Sequence, residues 1–380
     1  MLPPYAAKVD AIVRTVMREE HIAGVAVGIA RRGSIIYLKG YGSRDVAAHL
    51  PVDGYTIFRI GSVTKEFTAA AIMQLADRGS VSLDAAAGSY LPLLPQPDAR
   101  VTVAQLLNQT SGIPSYTDPG ATAASALAAP LLFEPGASWA YSNTNYLLLG
   151  RIAEAQTHRP YANLLDETIF APLKLRSTAY GVPRFANNAA TGYRYDGTHY
   201  VAIDDASQAD RAYAAGALAS NVPDLLQWLE ALRTGRVVSG TSFARMSTQT
   251  RLPDGAPTHY GFGFFIRNWY GWHAIEHNGN VDGFSADDAL VLDDGLAVAV
   301  LTNADRADIV PLTESLVALA DPPRDRNLYA DRPRPPENEN PSVTATIARI
   351  FADLQRGTID RTLLTPSLSA SFTRATLQAR

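Results

Sequence analysis

Strand-type segments sit near the two ends of this chain, with helical patterning and loops between them. Near the start, Gly24–Ala30 and Ile35–Gly40 are apolar, partly β-branched runs around Arg31-Arg32-Gly33-Ser34, a hairpin signal. From residue 259 onward, Tyr260–Arg267, Trp272–His277, Phe284–Leu292 and Gly295–Leu301 are short, aromatic or β-branched, and separated by turn residues. The middle carries helical patterns such as Ser62–Arg78 and Asp224–Thr234, broken by Pro/Gly-rich loops. This order predicts an α+β fold: one antiparallel sheet built from both termini and flanked by helices, with a mostly helical lobe inserted over about 60–255. A first amphipathic helix is expected over residues 5–20, using Val9, Ile12, Val13, Val16 and Met17.

At 380 residues the chain can bury a large core. Residues 1–322 are expected to form the main domain and 323–341 a Pro-rich, charged linker. Residues 342–380 are expected to be a tail or a fragment of an accessory domain, with a helix over Ser342–Arg356 closed by Gly357. The net charge of -4 supplies no basic patch, which argues against a nucleic-acid partner. No apolar run is long enough to span a bilayer. The opening Met1-Leu2-Pro3-Pro4-Tyr5 lacks the charged-then-apolar order of a leader. A periplasmic or secreted protein with its leader removed is therefore expected, or else a cytoplasmic one. With zero cysteines there is no disulfide, no thiol nucleophile and no Cys-ligated metal, and the seven histidines show no H-E-x-x-H spacing. Neither a metal nor a cofactor is expected.

Three short segments carry the chemistry. Ser62-Val63-Thr64-Lys65 is an S-x-x-K opening a helix, and Gly61 before it allows close backbone approach. Positions i and i+3 share a helix face, so the Lys65 amine can sit beside the Ser62 hydroxyl. A serine hydroxyl needs a neighbouring base to become a nucleophile, and lysine is such a base only where its neutral form is favoured. Taken alone, the segment could equally be a serine-capped helix with a surface lysine. Lysine is rare here, however: four against 23 serines, so chance supplies only roughly a quarter of such a match. In Tyr141-Ser142-Asn143, a phenol could relay a proton and Asn143 could position a substrate carbonyl or the lysine; a turn with a half-buried tyrosine is the plain alternative. In His277-Asn278-Gly279-Asn280, after the Trp272–Glu276 strand, a backbone N–H could face an oxyanion; Asn-Gly is also a strong hairpin signal.

Together these segments resemble the active-site set of the serine β-lactamase and DD-peptidase superfamily. The closer resemblance is to the class C β-lactamase, DD-carboxypeptidase and family VIII esterase group, whose second and third motifs are Tyr-x-Asn and Lys-Thr-Gly or His-x-Gly. Further segments match in the same order: Gly24-Val25-Ala26-Val27, Leu106 to Pro114, Ile169-Phe170-Ala171-Pro172-Leu173, Ala215 to Ser220 and Gly283-Phe284-Ser285. The resemblance covers roughly residues 8–320. It implies a β-lactamase/transpeptidase-like fold and an acyl-enzyme at Ser62, with Lys65 as its base partner and Tyr141 as proton relay. It further implies substrate binding by Asn143, His277, Gly279 and Asn280, and an oxyanion hole from the N–H groups of Ser62 and Asn280. His277 stands where many relatives have lysine, so efficient β-lactamase activity is not expected.

The expected function is hydrolysis of a small-molecule or peptide ester or amide: a D-amino-acid peptidase, a carboxylesterase or a weak β-lactamase. The alternative is a non-catalytic penicillin- or peptide-binding module of the same fold. No G-x-S-x-G elbow occurs, which removes the α/β-hydrolases. Specificity is expected in the loops Pro114–Ala121 and Phe185–Asp204, where Tyr116, Tyr193 and Tyr195 are candidates to line an aromatic cleft.

Overall fold

The computed structural model describes residues 3–118, 120–182, 187–203, 208–269, 271–321 and Arg349. The chain forms two units, Met1–Arg326 and Asn327–Arg380. The expected linker and the helix over 342–356 lie outside the described residues, apart from Arg349, as does part of the loop 185–204.

A seven-stranded antiparallel sheet is the backbone of the first unit. Its strands are β1 (Gly24–Arg31), β2 (Ser34–Asp45), β3 (Leu50–Pro51), β4 (Phe265–Trp269), β5 (Trp272–Val281), β6 (Phe284–Val291) and β7 (Leu296–Thr302). The order across the sheet is β3-β2-β1-β7-β6-β5-β4. The two chain ends therefore meet at its centre, where β1 pairs with β7 from Val25 opposite Thr302 to Arg31 opposite Leu296. The α+β architecture expected from the sequence is the one observed.

Both faces of the sheet are covered, which is why β1 and β7 read as nearly continuous apolar runs rather than alternating ones. Val25, Val27, Ile29, Val298 and Val300 face one side, where they pack with α1 (Ala6–Glu19) and α5 (Val310–Ala320). Ala26, Ala30, Ala297, Ala299 and Leu301 face the other, against the helical lobe. Small residues dominate that second face, so helices can approach closely. A Cβ on Gly28 would lie 2.3 Å from Val222, at the start of α4 (Val222–Arg233). At the heart of the lobe are α2 (Thr64–Asp77) and α3 (Asn143–Thr157). α2 is buried on nearly every side from Thr64 to Met73, a helix enclosed by its own domain.

Two strand expectations are corrected. The strand expected at Tyr260 begins only at Phe265, because the chain before it turns at Gly263 (φ +85°) to pack on α2. A Cβ there would lie 2.9 Å from that of Ala69. In the second case, β5 does not stop before His277 but runs through the motif to Val281. Asp282-Gly283, not Asn278-Gly279, makes the hairpin turn, since Val281 pairs with Phe284.

Candidate active site

Ser62 lies in a single 3-10 turn, Gly61–Val63, that leads into α2, and its side chain caps nothing. Lys65 follows one turn later with its Nζ 2.9 Å from Ser62 Oγ. The lysine is fully buried. Its other two contacts are Asn143 Oδ1 and the carbonyl oxygen of Ala215, both at 2.7 Å. None of the three partners is a carboxylate, so nothing balances a charge on Nζ. Burial holds the Lys65 amine well below the usual lysine range. A neutral amine has two N–H bonds and one lone pair. With its N–H groups given to two oxygens that can only accept, the lone pair is left facing the Ser62 hydroxyl.

Tyr141 comes from the loop before α3. Its ring centroid is 4.9 Å from Lys65 Nζ, parallel to Phe265 and edge-on to Tyr260. Burial pushes its phenol up, while contact with the Ser62 hydroxyl works the other way. The loop is held by Gln109, a residue the sequence reading passed over. Gln109 Oε1 accepts from the Ser142 N–H (3.1 Å) and from Asn145 Nδ2 (2.6 Å), and its carbonyl accepts from the Ala140 N–H (3.1 Å). The Tyr141 backbone is thus fixed on both sides from one residue, which itself sits at φ +65°. Asn143 is fixed in turn: its Nδ2 donates to Thr117 Oγ1 at 2.8 Å, which leaves Oδ1 turned to Lys65.

β5 delivers the third segment. β4 pairs with β5 only from Trp272 to Glu276, so beyond that point the β5 edge meets the Gly61–Val63 turn instead of another strand. Two glycines permit this backbone-on-backbone contact. A Cβ on Gly279 would lie 2.0 Å from the Ile60 oxygen and 2.8 Å from Ser62 N; one on Gly61 would lie 2.7 Å from Asn280 N. The amides of Ser62 and Asn280 are thereby placed side by side.

His277 is buried beneath this contact. Its Nδ1 lies 2.6 Å from the Asn278 carbonyl, which can only accept, so Nδ1 carries the proton and Nε2 accepts from the Tyr260 hydroxyl at 3.1 Å. Burial, reinforced by nearby Lys65, takes the imidazole down to about 3. It is neutral at physiological pH and supplies no cation.

The residues next to Lys65 and His277 in sequence belong to two buried carboxyl pairs. Glu66, which accepts from Trp228 Nε1 at 2.7 Å, faces the Asp288 carboxyl; Glu276, which accepts from Arg267 Nε at 2.7 Å, faces that of Asp287. Two carboxyl groups buried side by side disfavour a second negative charge, so each pair favours holding a proton. Burial raises Asp288 to about 7 and Glu66 and Asp287 well above the carboxylate range. Among the described residues, no group of three or more His, Cys, Asp or Glu could hold a metal ion.

A cleft of about 690 Å³ opens over the serine, lined by Ser62, Asn143 and Asn280 among others; Lys65, His277 and Gly279 are buried and Tyr141 is half-buried. Tyr116 does line it, its hydroxyl donating to the carbonyls of Arg211 (3.0 Å) and Ala212 (3.2 Å). Tyr193 and Tyr195 do not: Tyr193 is buried, its hydroxyl accepting from the Val46 N–H, and Tyr195 stacks on His21.

This sheet, with a serine at a helix start and a buried lysine one turn on, defines the class of the serine β-lactamase/transpeptidase fold. The chain belongs to the Beta-lactamase family, whose model matches residues 9–356. Penicillin-binding protein 4* of Bacillus subtilis (strain 168) is 29% identical, over 70% of this chain and 65% of its own. The D-aminopeptidase of Gluconobacter oxydans (strain 621H) is 25% identical, over 84% of this chain and 63% of its own. The chain thus spans under two thirds of the length of these curated relatives. A D-stereospecific amidohydrolase from Streptomyces sp. superposes with a TM-score of 0.69 at 28% identity, covering 83% of this chain and 98% of that one. Among the described residues no helix is long and apolar enough to cross a membrane.

Proposed function

We propose that this chain is a serine hydrolase that passes short amide or ester substrates through an acyl-enzyme at Ser62. One observation carries the reading: a buried lysine without a counter-ion among the described residues, 2.9 Å from the serine hydroxyl. Ser62 Oγ attacks the substrate carbonyl and gives its proton to the Lys65 lone pair. The carbonyl oxygen, now negative, sits against the N–H groups of Ser62 and Asn280. The C–N or C–O bond breaks as the departing amine or alcohol takes a proton delivered through Tyr141 and Lys65. Water then gives a proton back along the same route, attacks the ester carbon and releases the acid, restoring the Ser62 hydroxyl.

The relatives named D-aminopeptidase and D-stereospecific amidohydrolase support amides of D-amino acids as the substrate class. Slow β-lactam turnover fits the neutral His277, which offers no charge to a β-lactam carboxylate.

Intact mass after mixing with a fluorophosphonate tests the nucleophile. Wild type should gain one adduct and Ser62→Ala none; equal labelling of the two would remove Ser62 from the mechanism. A β-lactam adduct that forms and decays indicates turnover, whereas a permanent one indicates a binding module. Hydrolysis of p-nitrophenyl esters and D-alanine peptides, measured side by side, separates esterase from peptidase activity.

A further inference from the structure

Charges of both signs line the cleft: Asp118, Asp210 and Asp282, with Arg211 and Arg306. On one wall, Tyr116 ties the 115–118 loop to residues 211–212, and that wall carries the carboxylates of Asp118 and Asp210. Both are exposed, and neither carboxylate forms an ion pair with a described residue. Arg306 lines the cleft with Asn280, from the sheet rather than from the 115–118 and 210–212 segments. The two other charged residues of the cleft, Arg211 and Asp282, each already hold an interaction of their own.

Arg306 is set there with some care. Its backbone is left-handed (φ +57°), a conformation costly for a residue with a side chain. The chain is pinned on either side: the Asp305 N–H donates to the Tyr193 carbonyl (2.9 Å) and the Ala307 N–H to Ser285 Oγ (2.9 Å). Asp305 is held further by Arg194 (3.0 Å) and by the Gly283 N–H (3.3 Å). The guanidinium itself forms no hydrogen bond or ion pair with any described residue. It lines both the main cleft and a smaller cavity of about 170 Å³ that shares Asn280 with it and includes Asn278. A strained residue, fixed by its neighbours and with no partner for its five donors among the described residues, is arranged to meet an anion.

We infer that the cleft is polarised and selects short peptides with both ends free, the ammonium towards Asp118 and Asp210 and the carboxylate on Arg306. The direction follows from peptide chemistry. In any peptide the amino end lies on the acyl side of the scissile carbonyl and the carboxylate on the leaving side. A substrate lying across Ser62 with its carboxylate at Arg306 therefore leaves its acyl part, and its ammonium, on the Tyr116 wall. Arg306 would supply the positive charge that His277 does not. This inference rests on acylation at Ser62 and specifies the substrate of that same site.

The test is a panel of D-alanine di- and tripeptides, each free, N-acetylated or as the C-terminal amide, with wild type, Arg306→Gln and the double variant Asp118→Asn/Asp210→Asn. The free peptides should be cleaved best. In Arg306→Gln the kcat/KM ratio of free acid to amide should fall about tenfold or more, through KM. In the double variant the ratio of free amine to N-acetyl form should fall instead. Indifference to capping, preference for a capped form, or an equal loss on all substrates in Arg306→Gln would overturn the inference. Fluorophosphonate labelling of Ser62, which needs neither charge, separates the two levels. No labelling removes the acyl-enzyme reading itself; labelling with charge-blind cleavage, or with no peptide cleaved, removes only the polarity.

Discussion

Lys65 is kept where an ammonium ion is costly, and that cost is what suits it to act as a base. Its three oxygen partners are all neutral, so desolvation dominates and the amine is held down. For a base that must be deprotonated, kcat/KM rises with pH through its depressed value and levels off above it. The acid limb should therefore lie well below the 10.5 of a free lysine. Lys65→Ala and Tyr141→Phe should each lower turnover by roughly 10²–10⁴-fold. Steady-state rates on a p-nitrophenyl ester check this, and a loss under about tenfold would take the residue out of the mechanism. Ser62 and Lys65 were readable in the sequence because a helix brings i and i+3 together whatever surrounds it. The Ala215 carbonyl was not, because a backbone acceptor has no residue signature. Gln109 was not, because its hydrogen bonds to residues 140, 142 and 145 become visible only once two distant loops are side by side.

Elements were legible where periodicity decides and misread where neighbours do. The central strands and α2 were found from apolar patterning, but the end of β5 was placed too early because Asn278-Gly279 has the composition of a turn. In the fold that glycine serves a different need, since Ile60 and Ser62 press against its α-carbon. Gly279→Ala would put a methyl group 2.0 Å from the Ile60 carbonyl oxygen, a backbone atom that cannot swing aside. The turn carrying Ser62 must then move away from Asn280. The expected loss is about 10²–10³-fold in kcat, comparable to removing one oxyanion donor, with the far-UV circular dichroism of wild type. Wild-type kcat in a folded Gly279→Ala protein would show that the two amides need not be adjacent.

Across the whole molecule, the sheet core holds carboxyl groups that no pattern in the sequence singled out. An Asp-Asp pair such as Asp287-Asp288 reads as surface polarity, yet both are fully buried on β6. Asp288 is raised to about 7 from an ordinary 3.8, so between those values the folded state holds more protons than the unfolded one. Stability then falls as pH rises across that window. Lys65, lowered by burial, works in the opposite sense at higher pH, so the difference between proteins is the useful quantity. Asp288→Asn keeps the shape of the protonated acid. It should gain on the order of 2 kcal/mol over wild type between pH 5 and pH 8, measured by urea denaturation. An unchanged difference would mean that Asp288 does not titrate in that range.

The meeting of β1 with β7 carries a consequence for how the protein comes into being. As the polypeptide leaves the ribosome, the nucleophile at residue 62 emerges long before the strand carrying Asn280, and the strand that anchors both ends is later still. A nascent chain therefore bears its reactive hydroxyl without the amides or the dry lysine that make it dangerous to bystander esters. Covalent capture of an acylating probe becomes a reporter of completed closure, silent until the last strand of the sheet has found the first.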